Sequence, residues 1–104
     1  MTQNNRFLSL LGLARKANKV ALGYDKALES IHRGKCVAVF TAADLSEKTR
    51  RGLIFAAEET NIKVITVSHT VFDITNAVGQ KTGIVAVTDK GFADKLVLLN
   101  SQQI

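Results

Sequence analysis

The sequence predicts an α/β fold in which helices cover both faces of a sheet, that is, a three-layer α-β-α sandwich. Two observations support this prediction. Short runs of β-branched residues alternate with amphipathic segments along the chain, and this alternation requires crossover connections over a sheet that is buried on both faces. The 46% hydrophobic fraction supplies one core, and the 104-residue length predicts a single domain over residues 1–104.

The first helix is predicted from about residue 5 to residue 17, because apolar side chains recur there at the spacing of one helix face. Arg15 and Lys16 lie near its end, where positive charge interacts favourably with the helix dipole. Residues 1–6 lead into this pattern rather than into an apolar signal segment, and no apolar run approaches the ~20 residues that span a bilayer. We therefore expect a cytoplasmic protein without a membrane partner.

A second helix is bounded by Gly23 and Gly34 and follows a short strand at residues 20–22. Gly34 suits the left-handed turn that ends a helix. Gly23 leaves the first amide groups of the helix uncovered, and a phosphate or a base edge can approach such a start. The alternative interpretation is an ordinary surface helix. Its apolar stripe consists of Tyr24, Ala27, Leu28 and Ile31.

The rest of the chain continues the alternation. Strands are predicted at residues 36–41, 62–67 and 83–88, and helices at about 46–60, from Thr70 to Gly79, and after Asp89. Asp44 or Ser46 can cap the helix at 46–60, and Asp44 with Glu47 forms a variant of the capping box. This helix is predicted to bury Leu53, Ile54 and Ala57.

Charge is distributed unevenly along the sequence. Residues 1–53 contain ten Lys and Arg against four Asp and Glu, whereas residues 54–104 contain four against five. A basic half indicates a polyanion such as nucleic acid as partner, and a solvated surface rich in lysine is the alternative. Cys36 is the one cysteine. It is predicted to be a buried, unreactive small hydrophobe in a central strand.

Signatures of catalysis and of cofactor binding are missing from the sequence. There is no GxGxxG motif, and the Lys-Thr pair within residues 79–83 lacks the glycine pattern of a phosphate-binding loop. One cysteine and two separated histidines supply no zinc ligand set. Asp44 and Asp89 follow strands, where carboxylates are often catalytic, but helix capping explains both. We therefore expect no enzymatic activity, no cofactor and no metal.

Five segments occur in the order and spacing of a known family. They are LGLARKA at 11–17, LGYDKALESIHRGK at 22–35, AADLS at 42–46, NAVG at 76–79 and VTDKGFA at 87–93. The chain resembles the superfamily of kink-turn-binding ribosomal proteins of the large subunit, and within it the small bacterial YlxQ-type branch. The resemblance covers nearly all of residues 7–96.

The resemblance implies a central four-stranded mixed sheet, no catalysis, no cofactor, and binding to structured RNA such as ribosomal RNA by a monomer. In the family, the start of the helix after the first short strand reads the guanines of sheared G·A pairs. The loop after the later glycine packs on extruded nucleotides, and the loop at Asp44 borders the same surface. The matching positions here are Gly23, Tyr24, Asp25, Lys26 and Glu29 in the helix, and Gln80, Lys81, Thr82 and Gly83 in the loop.

Three of these positions depart from the family pattern. The family commonly has an amide or lysine where this chain has Asp25, an acid or amide at Lys26, and a lysine at Glu29. The charges at positions 26 and 29 are thus exchanged. A lysine can donate to O6 and N7 of guanine, whereas a carboxylate cannot. A basic surface for phosphates is predicted from Lys19, Lys26, Arg33, Lys48 and Arg50.

Two further functions remain open at this point. One is a protein-binding adaptor of the same fold, and the other is a ribosome-associated factor that contacts phosphates only. The dependence of binding on salt separates an adaptor from an RNA-binding protein. Competition between RNA motifs separates contacts to phosphates from recognition of a kink-turn.

Overall fold

The computed structural model describes residues 3–102, and the side chains of residues 6–102. Within that range five helices alternate with four strands, and the predicted α/β sandwich with a mixed four-stranded sheet is confirmed. In chain order the elements are α1 (Gln3–Lys16), β1 (Val20–Leu22), α2 (Tyr24–His32), β2 (Ala38–Thr41), α3 (Glu47–Ala57), β3 (Lys63–Thr66), α4 (Val71–Val78), β4 (Ile84–Val87) and α5 (Lys90–Ser101).

The sheet has the order β1-β4-β2-β3. β2 and β3 are parallel and are joined through α3, whereas β4 is antiparallel to both of its neighbours. The alternating sequence predicts crossover connections between strands. In this sheet, β2-α3-β3 is the one crossover that joins two neighbouring parallel strands. Because β4 returns between β1 and β2, the two central strands are buried along their whole length. β1 and β3 form the outer edges.

Two hydrophobic cores lie on opposite faces of the sheet. One contains α1, α4 and α5, and in it the rings of Phe7 and Phe40 meet edge to face with centroids 5.7 Å apart. The other contains α2 and α3 with Ile31, Leu53 and Val39. α1 comes close to α4 at Gly12, where an added Cβ would lie 2.9 Å from the carbonyl oxygen of Ala77. A glycine is needed there for the two helices to pack at this distance.

Some predictions about individual residues are wrong. Asp44 does not cap α3, because the Ser46 hydroxyl accepts the Thr49 amide proton instead, with N and Oγ 3.2 Å apart. Ile54 is not inward-facing and is 40% exposed. Cys36 is buried as predicted, but it precedes β2 rather than lying within it.

The pairing of the strands places four connections at one end of the sheet. Thr41 at the end of β2 pairs with Ile84 at the start of β4 and with Thr66 at the end of β3. The Gly23 amide after β1 donates to the Ile84 carbonyl oxygen over 3.1 Å. We call this region the loop end. It comprises Gly23 and residues 42–46, 67–70 and 79–83, and α2, α3 and α4 all start from it.

Candidate nucleic-acid interface at the loop end

The start of α2 is open to the surface. The side chains of Ser46, Thr70 and Asp89 cap α3, α4 and α5, whereas Gly23 gives α2 no side-chain cap. The first backbone hydrogen bond of the helix runs from the Ala27 amide to the Gly23 carbonyl oxygen over 3.0 Å. The amides of residues 24–26 therefore have no partner within the helix. Their uncompensated dipoles favour an acceptor or an anion at this point.

Gly23 is required at this position by its backbone. Its φ of 93° and ψ of 168° lie in a region that essentially only glycine occupies. No atom lies within 4 Å of the position that a Cβ would take, apart from the chain neighbours. A side chain would therefore extend into open space next to the uncapped start of α2.

The side chains of α2 are presented in different ways. Asp25 and Lys26 are exposed beside the helix start, whereas the Tyr24 hydroxyl lies against Gly52 of α3. Glu29 lies one turn further along and forms an ion pair with Arg33, with Oε2 and Nη2 3.8 Å apart. Both side chains of the pair are more than 60% exposed, so the pair holds Glu29 only weakly.

The connection between β2 and α3 is fixed by two residues that were predicted to contact RNA. Arg50 is only 12% exposed, and its guanidinium donates to the Ala42 carbonyl oxygen over 2.9 Å and to Glu47 over 2.6 Å. Asp44 accepts the Val71 amide proton, with Oδ1 and N 2.8 Å apart, and so adds to the capping of α4. Arg50 thus stabilises the loop, while Lys48 remains exposed on α3.

The connection between α4 and β4 is also rigid. Gly79 ends α4 in the left-handed conformation, with φ of 78°. The Thr82 amide donates to the Thr75 hydroxyl over 3.1 Å, and the buried Thr82 hydroxyl bonds to both the amide and the carbonyl of Ile84. The side chain of Thr82 is therefore structural, whereas Lys81 points outward from a loop held in place.

The five cations predicted to form one basic surface are not brought together. The Lys19 carbonyl oxygen accepts from Thr88, beyond the end of β4, and Arg33 ends α2 just before the chain enters β2. Both residues thus lie at the end of the sheet opposite to the loop end. Lys26 and Lys48 lie at the loop end and are exposed, and Lys81 joins them.

The structure has a small polar concavity that the sequence did not predict. It has a volume of about 190 Å³ and runs along β1 from the end of α1 to the start of α2. Its polar side chains are Arg15, Asn18, Lys26 and Gln80. The basic run at residues 15–19 was the available signal, but interaction with the helix dipole explained Arg15 without a ligand.

Burial shifts the pKa of two titratable groups, and neither of them lines this concavity. Burial lowers the pKa of His69, and the charge of Asp73 partly opposes this effect. Burial raises the pKa of the Cys36 thiol to about 11. Among residues 3–102, no three His, Cys, Asp or Glu side chains form a group that could hold a metal ion. In the same range no helix is long and apolar enough to cross a bilayer.

Known proteins resemble this chain in sequence and in structure. The RNA-binding protein YlxQ of Bacillus subtilis (strain 168) is 31% identical over 91 residues, which cover 86% of this chain and 90% of that protein. A protein of unknown function from Bacillus halodurans C superposes with a TM-score of 0.86 at 27% identity, covering 92% of this chain and 97% of the other.

A 15.5 kD RNA-binding protein from Giardia lamblia shares the fold, with a TM-score of 0.75 at 16% identity and coverage of 96% of this chain and 86% of that one. The family comparison matches residues 5–97, which is most of the chain. On this match, the chain belongs to the ribosomal protein L7Ae/L30e/S12e/Gadd45 family.

Proposed function

We propose that this chain is a non-catalytic, ribosome-associated protein that binds structured RNA through the loop end, with residues 1–104 acting as one RNA-binding domain. The observation that carries the proposal is the uncapped start of α2, flanked by the exposed cations Lys26, Lys48 and Lys81. The relative in Bacillus subtilis is named an RNA-binding protein, which supports the same proposal.

The geometry suits RNA for a physical reason. Free amides at a helix start bind phosphate oxygens or base acceptors, and the absence of a side chain at Gly23 lets a nucleotide approach them. The surrounding cations attract the backbone and make binding dependent on salt. Because the connections at 42–46 and 79–83 are fixed by internal hydrogen bonds, little ordering of the loops is needed on binding.

The finer proposal is that the target is a kink-turn or a related RNA, read by the first turns of α2. Lys26 can donate to O6 and N7 of a guanine, and Asp25 can accept from an exocyclic amine. The Glu29 carboxylate cannot donate to the guanine acceptors O6 and N7. The exchange of charge between positions 26 and 29 therefore predicts that this chain reads the G·A region with a changed set of contacts.

The test is a titration of the protein against a kink-turn RNA and against a control RNA whose G·A pairs are replaced. We expect about 5-fold to about 150-fold tighter binding to the kink-turn RNA, because a good base contact contributes about 1–3 kcal/mol of discrimination. Equal, salt-dependent affinities would restrict the proposal to phosphate contacts. The absence of binding to either RNA would contradict it.

A protein-binding adaptor is the second candidate function, and two exposed aromatic residues favour it. Phe55 on α3 is 76% exposed and Phe72 on α4 is 71% exposed. Large apolar side chains in such positions are typical of protein interfaces. An adaptor would bind RNA weakly, and replacing Phe55 or Phe72 with Ser would leave RNA affinity unchanged while abolishing capture of the protein partner.

A further inference from the structure

We propose that the concavity beside β1 is a second RNA contact, in which Arg15 holds one backbone phosphate next to Lys26. We call it the β1 cradle and define it by Arg15, Asn18, Val20, Leu22, Lys26 and Gln80. The proposal rests on the RNA-binding function proposed above. It places a second site next to the loop end, on the outer edge of the sheet, and it names a backbone phosphate as the ligand of that site.

The first argument comes from the side chains of the cradle. Two of them are cations, two are amides, and no carboxylate lines the concavity. They come from three separate elements, since Arg15 belongs to α1, Lys26 to α2 and Gln80 to the loop after α4. Within the described chain, none of these side chains takes part in an internal hydrogen bond or ion pair. Their donors are therefore available to a ligand.

The second argument comes from the backbone of β1. The Thr88 amide donates to the Lys19 carbonyl oxygen, and the Gly23 amide donates to the Ile84 carbonyl oxygen. In an antiparallel pair, bonded positions alternate, so residues 19, 21 and 23 bond to β4 and residues 20 and 22 do not. The amides and carbonyls of Val20 and Leu22 therefore face outward, and no strand covers them because β1 is at the edge of the sheet.

These donors fit a phosphodiester of RNA. A guanidinium can hold two phosphate oxygens at once, the ammonium of Lys26 adds a point charge, and backbone amides complete the shell. The carbonyl oxygens of Val20 and Leu22 can accept a hydrogen bond from a ribose 2′-hydroxyl of the same RNA strand. At about 190 Å³ the cradle has room for a phosphate with part of its ribose. Lys26 connects it to the start of α2, so one RNA strand can contact both sites.

The chain contains a matched control for this site. Lys16 is the neighbour of Arg15 on α1, but it lines a different groove, between α1 and α4, together with Asp73 and Asn76. Replacing either cation with Gln removes one positive charge from the same helix end. Only the change at Arg15 removes a charge from the β1 cradle.

The experiment measures the affinity of wild type, Arg15→Gln and Lys16→Gln for the kink-turn RNA and for its G·A-replaced control over a range of salt. We expect Arg15→Gln to reduce the slope of log K against log salt by about one on both RNAs. Its affinity deficit should shrink by about 3.5-fold between about 50 and about 200 mM salt. Lys16→Gln should keep the wild-type slope.

Further outcomes separate the proposals from each other. Arg15→Lys should keep the slope of wild type, since it retains the charge, and thermal melting of every variant confirms that it folds. If wild type binds RNA and Arg15→Gln has the same slope as wild type, the β1 cradle is overturned while the loop-end proposal stands. If Lys16→Gln lowers the slope equally, the effect is one of general charge and the cradle is also overturned. If wild type binds neither RNA, both proposals fail.

Discussion

Glu29 places a carboxylate near the start of α2, at a position where the family resemblance predicts a lysine. Its one ion pair, to Arg33, is exposed and weak, so the side chain is available to face a ligand. We expect Glu29→Lys to strengthen binding to the kink-turn RNA by about 1–3 kcal/mol, because a lysine there can donate to a guanine edge. The measurement is a titration of wild type and variant against that RNA.

The control for Glu29→Lys is the RNA with replaced G·A pairs, together with Glu29→Gln. A gain confined to the kink-turn RNA indicates a base contact, whereas equal gains on both RNAs indicate a general charge effect. Glu29→Gln removes the negative charge and adds a neutral amide donor, whereas Glu29→Lys adds a positively charged donor. Glu29→Gln should therefore reproduce only part of the gain in affinity. No gain with either variant would place the RNA surface away from position 29.

Gly23 and Gly34 form a second matched pair of residues. Both have positive φ, and neither has an atom near the position of its missing Cβ, apart from its chain neighbours. Alanine at either position should cost roughly 1–3 kcal/mol of folding free energy through backbone strain. Only Gly23→Ala adds a methyl group at the uncapped start of α2. We therefore expect both variants to melt earlier, but only Gly23→Ala to lose RNA affinity in folded protein.

Cys36 offers a test of the core that is independent of RNA. Its thiol is buried, donates to the Ala38 carbonyl oxygen over 3.4 Å, and has a pKa raised to about 11. Little thiolate is present at neutral pH, and the sulfur is shielded from reagents. We expect a maleimide to label the native protein slowly and the urea-unfolded protein rapidly. Equal rates in the two states would show that Cys36 is exposed in solution.

Among the elements, α1 and α4 are held together partly through His69, which precedes α4 and stacks on Phe7 of α1 with ring centroids 5.3 Å apart. Burial lowers the folded-state pKa of His69 below its ordinary value of 6.5. Between these two pKa values the unfolded chain binds more protons than the folded chain. The contribution of neutral His69 to the free energy of unfolding is therefore fully present above pH 6.5. It decreases as the pH falls below 6.5.

The measurement is the urea midpoint of unfolding between about pH 7.5 and about pH 5. We expect His69→Gln to remove part of the decrease on the acidic side, because the imidazole that must stay neutral in the fold is gone. The exposed His32, replaced in the same way, serves as the control and should leave the decrease unchanged. An identical pH dependence in wild type and His69→Gln would contradict the role assigned to this side chain.

The elements differ in how well the sequence predicted them. α4 was predicted well, because Thr70 and Asp73 form a capping box and Gly79 closes the helix, and these are signals within a few residues. The start of α3 offered two capping residues, Asp44 and Ser46, and only the fold shows that Asp44 instead bonds to Val71 across the loop end. The place of β4 between β1 and β2 likewise depends on contacts that are distant in sequence.

The same distinction applies to the candidate site. The open start of α2 follows from Gly23 and could be predicted locally. The separation of Lys19 and Arg33 from Lys26 depends on strand direction, and the burial of Arg50 depends on the Ala42 carbonyl oxygen. The β1 cradle combines α1, α2 and the loop after α4. Most of its residues lie within the segment 15–26, but only the fold brings Gln80 to them.

For the molecule as a whole, the two ends of the sheet should respond differently to a change of charge. If the exposed cations of the loop end and the cradle neutralise about three to four phosphates, log K should fall with log salt with a slope of roughly −3 to −4. The double variant Lys48→Gln/Lys81→Gln should reduce this slope by about two. A binding titration at several salt concentrations measures it.

The control is Lys35→Gln/Lys63→Gln, which removes the same charge from exposed residues at the opposite end of the sheet. This variant should retain the slope of wild type. Equal slopes for the two double variants would show that the protein attracts RNA through its net charge alone. A flat salt response of the wild type would instead favour the protein-binding adaptor.

The position of the loop end relative to the two cores has a consequence for how this protein can change. Phe7, Phe40 and Leu53 are fully buried in the two cores, whereas Lys48 and Lys81 at the loop end are exposed and belong to neither core. Substitutions at such exposed positions therefore alter recognition with little effect on the interior. Evolution, or a protein engineer, can therefore change the binding partner by replacing exposed loop-end side chains one at a time, while the residues of the two cores stay the same.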